Sequence, residues 1–377
     1  MSRTVRLPAL SLLITLLAAL LAACGSQPTT QPAATSAPPA GEATSAPPAE
    51  GGRTGPFTIG ISNGFVGSEW RTQMIADLEQ INAEYMAAGL TNELVIESAD
   101  TDVQGQTQQI RNLINRGVDA IIINPNSQNG LNSVIKEATD AGIVVIAIDQ
   151  EVDEPSAINV VIDQTEWARM SAQWLVDELG GQGDVVVING IAGHPANEAR
   201  YNGVKEVFEA NPGINVLNVA NANWDQATGQ QTMANLLASH PNIDGVWTQD
   251  GMALGVLQAL VAAQPAEWPV VVGEARAGYM QLWNEVKQSN PDFRSYGVVN
   301  PPGVAASGMR VALNLLQGKQ LKPDALSGPF GNSLYVPIPG VVSEENFAEE
   351  FAKIENQPAS YVLDGIIDQA TADSFFQ

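Results

Sequence analysis

Residues 185–200 read Val-Val-Val-Ile-Asn-Gly-Ile-Ala-Gly-His-Pro-Ala-Asn-Glu-Ala-Arg, and this stretch decides the fold. Val185–Ile188 is a short, uninterrupted β-branched run, which is typical of a strand buried on both faces of a parallel sheet. Asn189–Gly193 has the composition of a turn, and Pro195 stands where a helix can begin without losing a hydrogen bond. The stretch therefore predicts a strand, a tight turn and a helix, which together are one unit of an α/β fold.

Arg200 is an unexpected residue in this predicted helix. It lies in the first two turns, where the helix dipole favours acidic side chains. Helical side chains lean toward the helix N-terminus, so we expect its guanidinium over the carboxyl end of the preceding strand, where open α/β sheets bind ligands. The alternative is a surface arginine paired with a neighbouring acid such as Glu198.

The same alternation of strand and helix continues through residues 57–377. Ten strand-like runs are visible: Thr58–Ile61, Glu93–Ile96, Ala120–Ile123, Ile143–Ile148, Asn159–Ile162, Asp184–Ile188, Asn215–Val219, Gly245–Trp247, Val270–Val272 and Tyr296–Val299. Ten strands would be unusual in one sheet. We therefore predict an α/β fold with two parallel sheets of about five strands, and a first chain crossing near Asp163.

Polar side chains follow six of these runs. They are Asn124, Asp149, Asn189, Thr248-Gln249-Asp250, Gly273-Glu274 and Asn300. Each could simply cap the next helix, and for Asn124 and Asn189 that explanation is sufficient. Their repetition at the ends of apolar strands instead predicts the floor of a polar cleft, which requires no catalytic group.

The N-terminus has the pattern of an export signal. Arg3 and Arg6 precede the apolar run Leu10–Leu21, which is too short for a stable membrane span. Leu-Ala-Ala-Cys24 resembles a bacterial lipobox, in which the cysteine is lipidated; a chance cysteine after an ordinary signal is the alternative. Residues 1–24 are therefore predicted to be a lipoprotein signal, and the only link to the membrane would be the lipid.

The composition and charge of the rest of the chain indicate which classes of partner and cofactor to exclude. Residues 25–56 are rich in Pro, Ala, Ser and Thr and predict a disordered tether. A formal charge of −24 would repel nucleic acid and anionic lipid. Cys24 is the only cysteine, and Asp100-Thr-Asp102 begins like a calcium loop but lacks its later acids, so we predict no metal and no cofactor.

These motifs resemble the type I periplasmic sugar-binding proteins, the ribose- and galactose-binding branch of ABC-importer receptors. The likeness rests on Gly190–Pro195 with Arg200, Ala238–Asn242, Asp250–Gly255 and Gly117–Ala120. It implies two Rossmann-like lobes with parallel sheets, joined by three hinge crossings near Asp163, Asn300-Pro301-Pro302 and Phe330–Ser333. The implied N-lobe is 57–163 plus 301–330, and the implied C-lobe is 164–300 plus 331–377, whose part from residue 336 extends past the usual end of a ribose-type chain.

The resemblance also implies a ligand site in the cleft. Its residues here would be Trp70, Arg71, Asp149, Gln150, Arg200, Trp224, Gln249, Asp250, Glu274 and Asn300. Planar carboxylate, amide and guanidinium groups can bind neighbouring hydroxyls in a fork, and the two tryptophans could cover the apolar faces of a sugar ring. Trp70 could instead be a core residue, Arg71 a solvated one and Asp149 a helix cap. Gln150 and Glu274 depart from the ribose pattern, which weakens the case for ribose.

The implied protein is a monomeric, lipid-anchored receptor on the outer face of the cytoplasmic membrane that catalyses no reaction. It would capture a monosaccharide or polyol and deliver it to the transmembrane subunits of an ABC permease. The same receptor could instead dock on a chemoreceptor or sensor kinase. A remote alternative is a secreted hydrolase, because Gly60-Ile-Ser62-Asn-Gly64 matches a nucleophile elbow, although only His194 and His240 could serve as its base.

Overall fold

Short β-branched runs separated by helices form two six-stranded sheets in a computed structural model that describes residues 52–377. The predicted export signal, the lipidation site Cys24 and the tether as far as residue 51 lie outside the described residues. Residues 52–56, the end of the predicted tether, are exposed. Among the described residues, no helix is long and apolar enough to cross a membrane.

The strands and helices follow one another in the alternating order that the sequence predicts. The strands are β1 (Ile59–Asn63), β2 (Val95–Ser98), β3 (Ala120–Asn124), β4 (Val144–Ile148), β5 (Ile158–Val161), β6 (Gly183–Asn189), β7 (Ile214–Asn221), β8 (Gly245–Thr248), β9 (Val270–Glu274), β10 (Ser295–Val298), β11 (Ser333–Tyr335) and β12 (Val341–Val342). The helices are α1 (Glu69–Ala87), α2 (Val103–Asn115), α3 (Asn132–Asp140), α4 (Gln164–Glu178), α5 (Pro195–Ala210), α6 (Gln226–Ser239), α7 (Met252–Ala263), α8 (Ala277–Ser289), α9 (Val304–Leu316), α10 (Phe347–Ile354) and α11 (Gln369–Ser374).

Each sheet is doubly wound. The first has the strand order β11-β5-β4-β3-β1-β2, and with α1, α2, α3 and α9 it forms the N-lobe. The second has the order β12-β10-β9-β8-β6-β7, and with α4 to α8 it forms the C-lobe. All pairings are parallel except that of β12 with β10. The predicted fold class, two α/β lobes of the type I periplasmic binding protein kind, is confirmed.

The central strands are apolar on both faces because helices cover both sides of each sheet. β1, β3 and β8 are buried along their whole length, and so are the last five residues of β6. Polar residues mark where helices begin. Asp163, at the predicted first crossing, caps α4 by accepting hydrogen bonds from the backbone N–H of Thr165 and Glu166 at 2.9 Å.

The chain passes between the lobes where two of the crossings were expected. It leaves the N-lobe after β5 and enters α4, and it returns between β10 and α9 at residues 299–303. The expected third crossing at Phe330–Ser333 is displaced. Residues Ser333–Tyr335 pair with Asn159–Val161 as an edge strand of the N-lobe sheet, so the chain crosses only between Tyr335 and Val341.

The end of the chain also departs from the predicted C-lobe range 331–377. β12 and α10 pack on the C-lobe, but α11 packs against α9 of the N-lobe. Asn314 and Lys319 of the N-lobe both donate to Asp373 of α11 at 2.9 Å. The tail therefore makes a further passage between the lobes, which the likeness to three-crossing relatives did not predict.

Candidate functional site

The predicted site residues lie at the carboxyl ends of the parallel strands, near the point in each sheet where the strand order reverses. In the N-lobe that point lies between β1 and β3, and in the C-lobe it lies between β6 and β8. Trp70 and Arg71 follow β1, Asp149 follows β4, Arg200 lies on the helix after β6, and Gln249 follows β8. Open α/β sheets form their ligand crevices at this position.

Arg200 is the centre of the C-lobe side. It is 1% exposed and its guanidinium lies 4.2 Å from the ring centroid of Trp167. Its Nε donates to Gln164 Oε1 at 2.7 Å, and its Nη1 donates to Gln249 Oε1 at 2.9 Å and Asp250 Oδ2 at 2.5 Å. The surface-arginine alternative is therefore wrong.

Glu198, the acid expected to pair with a surface arginine, instead accepts a hydrogen bond from the Gly193 backbone N–H at 2.9 Å. Gly193 belongs to the turn between β6 and α5, so this contact holds the turn against the first turn of the helix. Glu198 therefore has a local structural role. Arg200 binds Gln164, Gln249 and Asp250 instead.

Trp224 lies beside this network. Its Nε1 donates to Gln249 Oε1 at 3.0 Å, and His194 meets its ring edge-on at 4.7 Å between centroids. A Cβ added at Gly190 would stand 2.2 Å from the indole, so only glycine lets the ring lie over this turn. The turn between β6 and α5 thus positions the aromatic side chain that sequence reasoning assigned to a sugar face.

On the N-lobe side, two of the predicted site residues, Trp70 and Arg71, lie in the first turn of α1. Arg71 is largely buried and its Nη1 donates to Asn63 Oδ1 at 3.0 Å. The solvated alternative for Arg71 is therefore wrong. Trp70 is buried in the core, as its alternative role predicted, and its Nε1 donates to the carbonyl of Asn300 at 2.9 Å. Through that bond α1 is tied to the second crossing. The contact of Trp70 with a ligand stays a prediction.

The charged groups of the two lobes face one another at electrostatic range. Burial raises the pKa of the Asp149 carboxyl, while the charges of Arg71 in its own lobe and Arg200 in the other oppose that rise. Burial also lowers the pKa of Arg71 despite the charge of Asp149. Burial, followed by the charges of Arg200 and Arg71, lowers the pKa of His194 to about 4, so its imidazole is neutral at pH 7.

Strained backbone concentrates at the same place. Five non-glycine residues among 52–377 have positive φ, and one of them, Gln264, caps the end of α7. The other four follow strands of the two sheets: Asp149 (66°) follows β4, Asn223 (56°) and Trp224 (55°) follow the edge strand β7, and Asp250 (50°) follows β8. Such conformations cost about 1–3 kcal/mol each and persist where the surroundings enforce them, typically at binding sites.

Glu274 and Arg276 form one unit. The Arg276 Nε and Nη2 donate to the two carboxylate oxygens of Glu274 at 2.7 and 2.9 Å, and Glu274 is 1% exposed. Arg276 Nη1 donates to the carbonyl of Ser360 at 3.0 Å. From the sequence, either Glu274 or Arg276 could replace the acid that ribose-type relatives have here. The structure pairs the two side chains, so the carboxylate holds the guanidinium in place.

Several polar atoms at the site have no protein partner. They are Asn124 Oδ1, Asn189 Oδ1, His194 Nδ1, Thr248 Oγ1 and Asp250 Oδ1. Buried polar atoms without a partner are costly, and each requires an explanation such as a bound water, ion or ligand. His194 was considered from sequence only as a hydrolytic base; its place over Trp224 depends on the fold and had no local signal.

Ser62 is not placed as a nucleophile. It lies within β1 at 0% exposure, and its hydroxyl donates to Gln109 Oε1 at 2.9 Å. A nucleophile elbow exposes its serine on a turn beside a histidine. The Gly-x-Ser-x-Gly match is therefore a coincidence of strand composition. Within residues 52–377, no group of three or more His, Cys, Asp and Glu side chains is arranged to hold a metal ion.

Known proteins share this architecture. A family model described as a periplasmic binding protein domain matches residues 59–320. The xylitol-binding protein of Mycolicibacterium smegmatis is 35% identical over 235 residues, which are 62% of this chain and 66% of that protein. The chain thus matches just under two thirds of that relative's length.

Two solved structures extend the comparison. An ABC transporter solute binding protein from Thermobispora bispora is 26% identical with a TM-score of 0.71, covering 84% of this chain and 94% of its own. Another, from Bacillus halodurans with bound myo-inositol, is 26% identical with a TM-score of 0.65, covering 80% and 99%.

Two α/β lobes with polar side chains at the carboxyl ends of their strands are the architecture of a two-lobed binding protein. The chain belongs to the periplasmic binding protein domain family. This is a family of binding proteins rather than enzymes. The predicted resemblance is confirmed, and the contact of each site residue with a ligand stays a prediction.

Proposed function

We infer that this chain is an extracytoplasmic receptor that closes its two lobes over a neutral monosaccharide or polyol and delivers it to an ABC permease. The observation that carries this proposal is the buried network of Arg200, Gln249 and Asp250, facing Arg71 and Asp149 from the other lobe. A ligand held by both sets stabilises the closed form, because only closure offers it all of these groups.

The charge of the site favours an uncharged ligand. Arg71, Arg200 and Arg276 are matched in number by three acids, Asp149, Asp250 and Glu274. A sugar acid or an amino sugar would bring an unmatched charge into a buried site, which is costly. Neutral hydroxyls, by contrast, both donate and accept, and can satisfy the unpaired oxygens at the strand ends.

The relatives favour polyols alongside ring sugars. One relative is named for binding xylitol, and one solved neighbour holds myo-inositol. Both compounds are uncharged and carry vicinal hydroxyls. Gln150, which replaces the arginine of ribose-type members, removes one cation from the site and agrees with this preference.

We further propose how the protein is organised at the cell envelope. Its folded part comprises an N-lobe of about 57–163 with 301–336 and a C-lobe of about 164–300 with 337–363. It would be monomeric and held to the outer face of the membrane by lipidated Cys24 through the tether. The solved neighbours are ABC transporter components, which supports delivery to a permease.

The test is a thermal-shift screen followed by calorimetry. Xylitol, myo-inositol, D-ribose, L-arabinose and D-galactose are compared with D-galacturonate and D-galactosamine. The proposal expects at least one neutral compound to raise the melting temperature, with both charged analogues inactive. Binding of the acid or the amine in preference to every neutral compound would overturn it.

A further inference from the structure

The C-terminal segment that leaves α10 lies across both lobes. We call residues 359–367 the strap. It follows α10 of the C-lobe side and leads into α11, which docks on α9 of the N-lobe. Val362, Leu363 and Ile367 of the strap are buried, so it is an integral part of the fold.

The first half of the strap is fastened to the C-lobe by backbone hydrogen bonds. Ala277 N–H donates to the carbonyl of Tyr361 at 2.8 Å, and Gly278 N–H to that of Ala359 at 2.9 Å. Leu363 N–H donates to the carbonyl of Ala275 at 2.9 Å. These bonds join the strap to the segment that begins α8, next to the Glu274–Arg276 pair of the site.

The second half is fastened to the N-lobe. Ile367 N–H donates to Ser307 Oγ of α9 at 3.1 Å, and Tyr85 OH of α1 donates to Gln369 Oε1 at 2.7 Å. Four residue-to-residue steps, from Leu363 to Ile367, connect the two anchors, and a fully extended link of that length spans about 14 Å. The strap therefore limits how far the lobes can separate beside the cleft.

One contact joins the C-lobe-bound half directly to the N-lobe. Gln73 Nε2 of α1 donates to the carbonyl of Val362 at 2.9 Å, and Val362 N–H donates back to Gln73 Oε1 at 3.0 Å. Among the described residues this reciprocal pair is the only hydrogen-bonded contact of residues 359–363 with the N-lobe. Val362 also pairs with Arg276 in an antiparallel bridge, so the contact joins the lobes beside the Glu274–Arg276 pair.

We propose that the strap is a latch that sets the balance between open and closed lobes, with Gln73–Val362 as its releasable contact. Opening the cleft must break this pair, while the anchors on α8 and α9 stay in place. The latch lowers the free-energy cost of closing the ligand-free lobes without making the closed form the major one, and so raises affinity. Gln73 acts through the strap and is a positioning residue.

The test measures the distance between lobes without ligand, so it does not depend on which solute binds. The full chain carries Cys24→Ser, and spin labels are attached at Gln108→Cys on α2 and Glu209→Cys on α5, both exposed positions. Double electron–electron resonance then gives the open and closed populations. The variants are Gln73→Ala and Gln73→Glu, which keeps the side-chain length but repels the Val362 carbonyl.

The matched control is Gln231→Ala, an exposed glutamine whose side chain bonds only to Asn235 on its own helix. Loss of two hydrogen bonds in Gln73→Ala should raise the open-to-closed ratio about 5- to 150-fold. Gln73→Glu still accepts from the Val362 N–H but sets a carboxylate oxygen against the Val362 carbonyl, so it should also raise the ratio. The control should match wild type. Distance distributions for Gln73→Ala and Gln73→Glu that coincide with wild type would overturn the latch, whether or not a sugar ligand is found.

Discussion

Replacing Arg200 by alanine is expected to destabilise the C-lobe severely. The guanidinium is 1% exposed, bonds to Gln164, Gln249 and Asp250, and lies over Trp167. Without it the Asp250 carboxylate, whose side chain is 16% exposed, loses its ion-pair partner in a largely buried position. Removing one partner of a buried pair costs about 3–5 kcal/mol in the free energy of unfolding.

The assay is urea unfolding followed by tryptophan fluorescence, with Arg169→Ala as the matched control. Arg169 also pairs with acids, Glu166 and Glu206, but its side chain is 40% exposed. Exposed pairs contribute about 0–1 kcal/mol, so the control should be nearly neutral. Equal costs for the two variants would refute the buried-pair argument.

A double variant separates the charge effect from simple loss of packing. In Arg200→Ala with Asp250→Asn the uncompensated carboxylate is gone, so the double variant should be more stable than Arg200→Ala alone. If instead the double variant loses as much stability as the Arg200→Ala and Asp250→Asn single variants together, Asp250 does not depend on Arg200 for its burial.

Three further predictions concern other parts of the molecule. Gly190→Ala should weaken binding of any neutral ligand about 5- to 150-fold by calorimetry, because the new methyl displaces the Trp224 indole and its apolar contact of roughly 1–3 kcal/mol; unchanged affinity would remove Trp224 from the site. His194 should contribute no pH dependence to ligand affinity from pH 5.5 to 8, because burial lowers its pKa to about 4 and the imidazole stays neutral; a transition near pH 6.5 that His194→Gln abolishes would contradict this. Burial, with Asp364 nearby, raises the pKa of Asp77 from 3.8 to about 7, so the folded state keeps a proton that the unfolded chain loses, and this carboxyl makes folding less favourable as pH rises from about 4 to 7. Asp77→Asn should therefore raise the melting temperature more at pH 8 than at pH 5, and an equal shift at both would refute the assignment.

The sequence was sufficient for the repeating parts of the fold. Every one of the ten predicted runs became a strand. The central strands are continuously apolar because helices bury both of their faces, whereas β2 and β7 are partly exposed edge strands. β11 and β12, of three and two residues, were missed because such short edge strands carry no periodic signal. Because β11 was not predicted, the third crossing was placed too early in the sequence. For the same reason residues 331–335 were assigned to the C-lobe, whereas β11 lies in the N-lobe sheet.

The sequence predicted that the candidate site residues lie at the ends of strands, but it did not predict which of their side chains contact one another. The position of Arg200 indicated the cleft, yet its partner is Asp250, fifty residues away, and its supporting ring is Trp167 on another helix. Only the folded sheet brings these groups together. The pairing of Glu274 with Arg276 and the docking of Val362 on Gln73 likewise depend on tertiary contacts that no local pattern encodes.

If the two lobes close on an uncharged polyhydroxy ligand, the protein should become more compact when that ligand binds. Small-angle X-ray scattering with and without a saturating neutral ligand from the thermal-shift screen measures this change. A smaller radius of gyration with ligand, lost in Arg200→Gln, is the predicted result. A ligand that binds at full occupancy and leaves the radius of gyration of the wild-type chain unchanged would contradict it.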